Sequence, residues 1–107
     1  MWSRRATAPN NDYTEVLLKE MKESRLGIVG IVVEDLKASP RINDILHQYA
    51  ELIVGRLGIP YRARGVAIIG LAVDGEMNAI SAMTGKLGKI LGVTIKSAIT
   101  PLEKKSV

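Results

Sequence analysis

The sequence predicts an α+β protein of the ferredoxin-like (βαββαβ) type, a two-layer sandwich in which two helices cover one face of a four-stranded sheet. Residues 26–33 and 66–73 are apolar at both odd and even positions, which is typical of central strands that are covered on both faces. The predicted elements follow the order strand–helix–strand–strand–helix–strand, and right-handed crossovers turn this order into the split βαβ arrangement. We therefore expect one domain over residues 25–100.

Turn residues and hydrophobic spacing place the boundaries of the elements. Asp12 and the Ser39-Pro40 pair are typical helix starts. Pro60 is expected to close the second strand because it has no N–H to donate. Asp74-Gly75 and Gly88 predict the ends of the third strand and of the last helix. The predicted strands cover residues 25–33, 52–59, 66–73 and 93–99, and the predicted helices cover residues 12–23, 40–50 and 76–87.

The ends of the chain are predicted to lie outside this domain. Residues 1–24 are expected to form a flexible tail and the short amphipathic N-terminal helix, and residues 101–107 a polar tail. The strict alternation of apolar and polar residues over 93–99 indicates an edge strand with one wet face.

Composition bounds the location and the partners. The chain of 107 residues has no cysteine, so disulfides and thiolate ligands are excluded. We expect a cytoplasmic protein with no membrane partner, because no export signal and no apolar run of roughly 20 residues is present. The net charge of +4 is uneven, with seven Lys/Arg against eight Asp/Glu over 1–55 and eight against three over 56–107. DNA binding stays open, although the absence of basic runs and of Phe favours a merely solvated surface.

Neither of two candidate motifs predicts a metal or nucleotide site. His47 is the only histidine, and a surface pair with Glu51 one helical turn away explains it without a metal. Residues 84–89 (TGKLGK) depart from the phosphate loop, because Ile80 replaces its first glycine and Leu87 follows the lysine. We therefore expect no metal site and no cofactor, and a helix end with exposed lysines over this segment.

A cluster of arginines around the second strand is the strongest candidate for a binding site. Arg56, Arg62 and Arg64, with Tyr61, are predicted to bind an anionic ligand, because guanidinium groups match carboxylate and phosphate. The alternative is that these arginines are simply solvated. No catalytic residues are predicted, since no nucleophile has a neighbouring base, and the chain is expected not to be an enzyme.

Four blocks of sequence resemble one small bacterial family. They are GIVVED (30–35), ILHQY (45–49), VGRLGIPYR (54–62) and ISAMTGKLG (80–88). They are similar to the iron-only hydrogenase system regulators, and the resemblance extends over about 25–99. It implies an ACT-like version of the ferredoxin fold, similar to the C-terminal sensing domain of the nickel-responsive repressor, and a role in transcriptional regulation linked to hydrogenase genes.

The sequence also departs from the patterns of these relatives. The repressor's nickel site resembles a His-rich set with one Cys, whereas this chain has one His and no Cys. Only 24 residues precede the first strand, which is short for a ribbon-helix-helix unit, and the loop over 34–38 lacks the glycine of amino-acid-binding ACT domains. We expect a non-enzymatic regulatory domain that binds an unidentified small ligand. The alternative is an adaptor that binds a protein partner through its sheet face or N-terminal helix.

The two central strands also predict self-association. Because both crossover helices lie on one side of the sheet, one set of apolar side chains, including Leu26, Ile28 and Ile68, is expected to face outward. A symmetric homodimer or homotetramer packed through sheet faces would cover them.

Overall fold

A computed structural model describes residues 24–101 of the chain. The predicted N-terminal helix over 12–23 and the C-terminal tail from residue 102 lie outside the described residues. The strands are β1 (Arg25–Val33), β2 (Ile53–Tyr61), β3 (Val66–Gly75) and β4 (Val93–Ile99), and the helices are α1 (Ser39–Gln48) and α2 (Met77–Gly88). The predicted α+β class, with four strands and two helices between residues 24 and 101, is confirmed.

The four strands form one antiparallel sheet in the order β2-β3-β1-β4. Strand β1 pairs with β3 along its whole length, from Arg25 opposite Gly75 to Val33 opposite Ala67. Strand β4 lies at one edge, as its alternating pattern predicts, and β2 lies at the other. Each helix therefore connects two strands that are not neighbours in the sheet.

The core lies between the two helices and one face of the central strands. Alternate residues of β1 and β3, such as Ile31 and Leu71, are at most 9% exposed, because the helices cover that face. Helix α1 contributes Ile42, Ile45 and Leu46, and helix α2 contributes Ile80, Met83 and Leu87. All buried side chains within residues 24–101 that form this core are apolar. No helix of the described segment is long and apolar enough to cross a membrane.

Several boundaries differ from the predictions. Pro60 lies inside β2, opposite Ala67, rather than closing the strand, because β2 is an edge strand and a missing N–H can face away from the sheet. Asp74 and Gly75 stay in β3 because they pair with the start of β1. Helix α1 ends at Gln48, and a short 3-10 turn over Ala50–Leu52 leads into β2.

The turn after α2 uses a different glycine from the one predicted. Gly88 is the last helical residue, and Gly92 has the left-handed φ of 80°. The carbonyl of Gly92 accepts hydrogen bonds from the backbone N–H groups of Glu34 at 2.7 Å and Asp35 at 3.3 Å. These two bonds hold the β1–α1 loop against the α2–β4 loop at one end of the sheet.

Candidate functional site

A groove runs between helix α1 and the edge strand β2. Helix α1 packs over the central strands, so all residues of β2 after Ile53 remain exposed. Arg56 lies on the helix side of the sheet, because its register partner is the buried Leu71. The Nη2 group of Arg56 donates a hydrogen bond of 2.8 Å to Oδ1 of Asn43 on α1. This bond spans the groove and orients the guanidinium towards α1.

Arg56 and Asn43 line two adjoining cavities in this groove. The larger, of about 410 Å³, is bounded by His47 and Ala50 at the end of α1. The smaller, of about 210 Å³, has a mainly apolar wall. Its apolar lining includes Ile42, Pro60, Ala67 and Ile69. The guanidinium therefore lies between a polar cavity and an apolar one.

This arrangement suits an anion that carries an apolar group. A guanidinium offers five N–H donors in one plane, and the bond to Asn43 uses one of them. Within residues 24–101 no carboxylate forms an ion pair with Arg56. A ligand carboxylate can therefore accept the remaining donors in the bidentate geometry that arginine favours, while its apolar part lies against Ile42 and Pro60.

The structure does not bring the four predicted site residues together. Tyr61 is the last residue of β2, opposite Val66, so it lies about 16 Å along the strand from Arg56 and on the other face of the sheet. Arg62 and Arg64 are exposed in the 3-10 turn that follows. Of the predicted set, only Arg56 lies in the groove. The binding role of Tyr61, Arg62 and Arg64 stays a prediction.

Asn43 is not among the site residues predicted from the sequence. It is an exposed residue next to the buried Ile42 on α1, and nothing in the local pattern distinguishes it from other solvated residues of the helix. The only signal lies in the topology, because a short 3-10 turn connects α1 to β2 and the chain then returns in β2 alongside the helix. A polar residue on the flank of that helix is therefore a neighbour of the helix-facing residues of β2.

The structure also describes the other two candidate motifs, His47 and the segment 84–89. His47 is exposed at the polar end of the groove. In the described part of the chain, no three His, Cys, Asp or Glu side chains are grouped closely enough to hold a metal ion. Lys86 and Lys89 are exposed at the end of α2, as predicted. Nζ of Lys86 donates to Oε1 of Gln48 at 3.3 Å and lies 5.1 Å from the centre of the Tyr49 ring.

The fold and the groove together define a class, that of a small α+β domain with a helix-covered sheet and an arginine-centred groove beside its edge strand. Comparison with protein families identifies the chain further. Residues 25–97 match the model of the TM1266-like family, described as "Iron-only hydrogenase system regulator, putative". The chain belongs to this family, and the resemblance expected from its sequence blocks is confirmed.

Individual relatives agree with this assignment. A "Putative nickel-responsive regulator" of Saccharolobus islandicus is 29% identical over 75 residues, which are 70% of this chain and 56% of the relative. A protein of the same name from Saccharolobus solfataricus is 30% identical over 67 residues, covering 63% of this chain and 50% of the relative. The chain thus spans about half the length of these curated relatives.

A solved structure is similar as well. The uncharacterized protein TM1266 from Thermotoga maritima superposes with a TM-score of 0.70 and 39% sequence identity. The match covers 74% of this chain and all of that protein. The α+β fold with a four-stranded antiparallel sheet and two helices is therefore one that the chain has in common with TM1266.

Proposed function

We propose that this chain is a non-enzymatic transcriptional regulator of the iron-only hydrogenase system, and that it acts in the cytoplasm. The family description names a hydrogenase regulator, and the names of the curated relatives describe regulators too. The domain architecture we propose is ferredoxin-like and of the ACT type. The sheet order β2-β3-β1-β4, with each helix crossing over a neighbouring strand, supports this architecture.

The groove beside Arg56 is the proposed effector site, and it is the observation that carries the proposal. A regulatory domain needs a place where a small molecule binds with specificity, and such places combine apolar walls with a few fixed polar groups. The hydrogen bond between Arg56 and Asn43 fixes one such group. We propose that the effector is a small organic carboxylate whose apolar part lies in the smaller cavity.

Nickel, which the names of the curated relatives suggest, does not fit the side chains of this chain. Nickel sites in proteins use imidazole, thiolate or carboxylate ligands, several at a time. The sequence offers one histidine and no cysteine, and His47 shares its cavity with Asn43 and with the positively charged Arg56. A guanidinium repels a cation and attracts an anion, so the same residues favour the carboxylate.

A thermal-shift titration of the full chain tests the site. Hexanoate is the probe, with hexanamide as its uncharged analogue and inorganic phosphate as an anion without an apolar part. At ten times its Kd, hexanoate should stabilise the fold by about 1.4 kcal/mol, which raises Tm by roughly 5–10 °C. Hexanamide and phosphate should produce a much smaller rise. Equal shifts with hexanoate and hexanamide would show that the charge is not recognised.

Two arginine variants make the test specific to the groove. Arg56→Gln removes the guanidinium, so it should abolish the hexanoate shift. Arg62→Gln makes the same change in the exposed turn after β2 and should leave the shift intact.

In cells, deletion of the gene should alter transcription of the hydrogenase genes, and complementation with Arg56→Gln should not restore regulation. Unaltered hydrogenase transcripts in the deletion strain would contradict the regulatory role itself.

A further inference from the structure

The face of the sheet opposite the helices carries a large apolar surface. We call this surface the open face. Six of its large side chains are 41–62% exposed. The side chains on the helix-facing side of β1 and β3 that form the core are at most 9% exposed. The six are Leu26, Ile28, Leu57, Ile59, Tyr61 and Ile68. A contiguous apolar surface of this kind usually marks an interface.

Two glycines lie at the centre of the open face. Gly30 of β1 and Gly70 of β3 are directly opposite each other in the register. A β-carbon at Gly70 would meet nothing within 4 Å, and one at Gly30 would meet only the carbonyl oxygen of Lys96 at 3.8 Å. Nothing within residues 24–101 therefore requires glycine at either position. Glycine inside a strand often marks a place where another backbone approaches closely, and such an approach to Gly30 and Gly70 would have to come from outside the sheet.

The shape of the open face is self-complementary. Gly30 and Gly70 form a trough across the central strands. Ile28 stands two residues along β1 from Gly30, a distance of about 6.7 Å, and is 58% exposed. A two-fold axis makes each contact occur twice. Ile28 of one copy would therefore enter the trough of the other copy, and the trough of the first would receive the other copy's Ile28. A ridge beside a trough is the simplest surface that fits its own copy.

The area and the charge of the open face also fit a second copy. Four strands of seven to ten residues span about 20 by 25 Å, so two facing copies cover about 1,000 Å² in projection, the size from which specific interfaces begin. By the strand register, the charged residues of the open face are one acid, Asp74, and one base, Lys96. Two copies therefore meet without a net like charge.

We propose that the open face is the self-association surface of this protein, and that its occupant is a second copy packed face to face around the trough formed by Gly30 and Gly70. This interface lies on the opposite side of the sheet from the Arg56 groove. It therefore stands independently of the proposed effector site.

Sedimentation equilibrium of the full chain tests the proposal. The wild-type protein should associate at tens of micromolar. Ile28→Glu should raise the dissociation constant at least a hundredfold, because a tenfold loss at each of two symmetric positions multiplies. Leu91→Glu is the matched control, since Leu91 is 88% exposed in the loop before β4, away from the open face. This variant should associate like the wild type.

A gentler variant tests the trough itself. Gly70→Ala adds one methyl group where the folded chain has space, so the fold should keep its stability while self-association weakens at least tenfold. Gly58→Ala makes the same change on the helix side of β2, also in open space, and should leave association unchanged. A monomeric wild-type protein would overturn the proposal and indicate that the face is covered from within the chain or by another protein. An oligomer unaffected by both Ile28→Glu and Gly70→Ala would overturn it as well.

Discussion

Replacing Gly92 by alanine should be the most destabilising single-methyl change available in the loops of this fold. Gly92 has φ of 80°, and a β-carbon built there would lie 2.5 Å from Cβ and 3.2 Å from the backbone nitrogen of Asp35. Neither atom is at the end of a flexible side chain. The Gly92 carbonyl also accepts the backbone hydrogen bonds that hold the β1–α1 loop. Any shift that relieves the clash therefore strains those bonds.

The expected loss of unfolding free energy in Gly92→Ala has two parts. The left-handed conformation costs alanine about 1–2 kcal/mol. Forcing a methyl group into an occupied space adds about 1–3 kcal/mol, so Gly92→Ala should lower the free energy of unfolding by roughly 2–5 kcal/mol. Gly65 provides the matched control, since it has φ of 68° with nothing within 4 Å of a β-carbon. Gly65→Ala should cost only the conformational part.

Equilibrium urea unfolding, followed by far-UV circular dichroism at one protein concentration, measures both variants. The unfolded-state effect of replacing glycine by alanine is common to the two, so the difference between them isolates the contact with Asp35. We expect Gly92→Ala to be less stable than Gly65→Ala by at least about 1 kcal/mol. Equal losses would show that the β1–α1 loop moves aside freely, and would refute the view that the two loops are locked together.

Three further outcomes follow from the same structure. Leu71→Ala, at a core position that is 1% exposed, should lower the free energy of unfolding by about 2–5 kcal/mol. Leu91→Ala in the exposed loop should change it by less than about 0.5 kcal/mol, and similar losses for the two variants in urea unfolding would contradict the position of the core. Untagged protein dialysed after incubation with Ni²⁺ should retain far less than one metal ion per chain by elemental analysis, and stoichiometric nickel that His47→Ala removes would refute this. DNA binding by this chain alone should be weak, indifferent to sequence and steeply salt-dependent, so the proposed regulation of transcription would need a DNA-binding partner. Tight binding of the chain to one operator at physiological salt in a mobility-shift assay would contradict this.

The architecture was predictable because it depends on patterns that cover whole elements. The two-sided apolar character of β1 and β3 indicated central strands, and the alternation in β4 indicated an edge. Boundaries were less predictable, because they depend on neighbours in space. Pro60 breaks a central strand but is compatible with an edge strand, and only the sheet order shows that β2 is an edge.

The candidate site was predictable only in part, for a related reason. Arg56, Arg62 and Arg64 are close in sequence, yet a strand places residue 56 about 20 Å from residue 62. Proximity along an extended chain is a poor guide to proximity in space. The residue that does contact Arg56 is Asn43, thirteen positions earlier. That contact depends on how α1 lies along β2, which hydrophobic periodicity does not specify.

Strand β2 belongs to both proposed surfaces, and this leads to a last prediction. Arg56 and Gly58 lie on the groove side, and Leu57 lies on the open face, opposite Gly70. Within residues 24–101 the strand is hydrogen-bonded only to β3, and all of its residues after Ile53 are exposed, so neither a second neighbouring strand nor a covering helix holds it in place. A carboxylate that ties Arg56 towards α1 should therefore also alter the position of Leu57.

Hexanoate should accordingly change the self-association constant of the protein, and linkage requires dimerisation to change the affinity for hexanoate by the same factor. Sedimentation equilibrium with and without hexanoate gives the first factor, and hexanoate titrations at low and high protein concentration give the second. Arg56→Gln should abolish both effects while leaving association itself intact. Two constants that are each independent of the other binding event would mean that β2 is rigid and that the groove and the open face work separately.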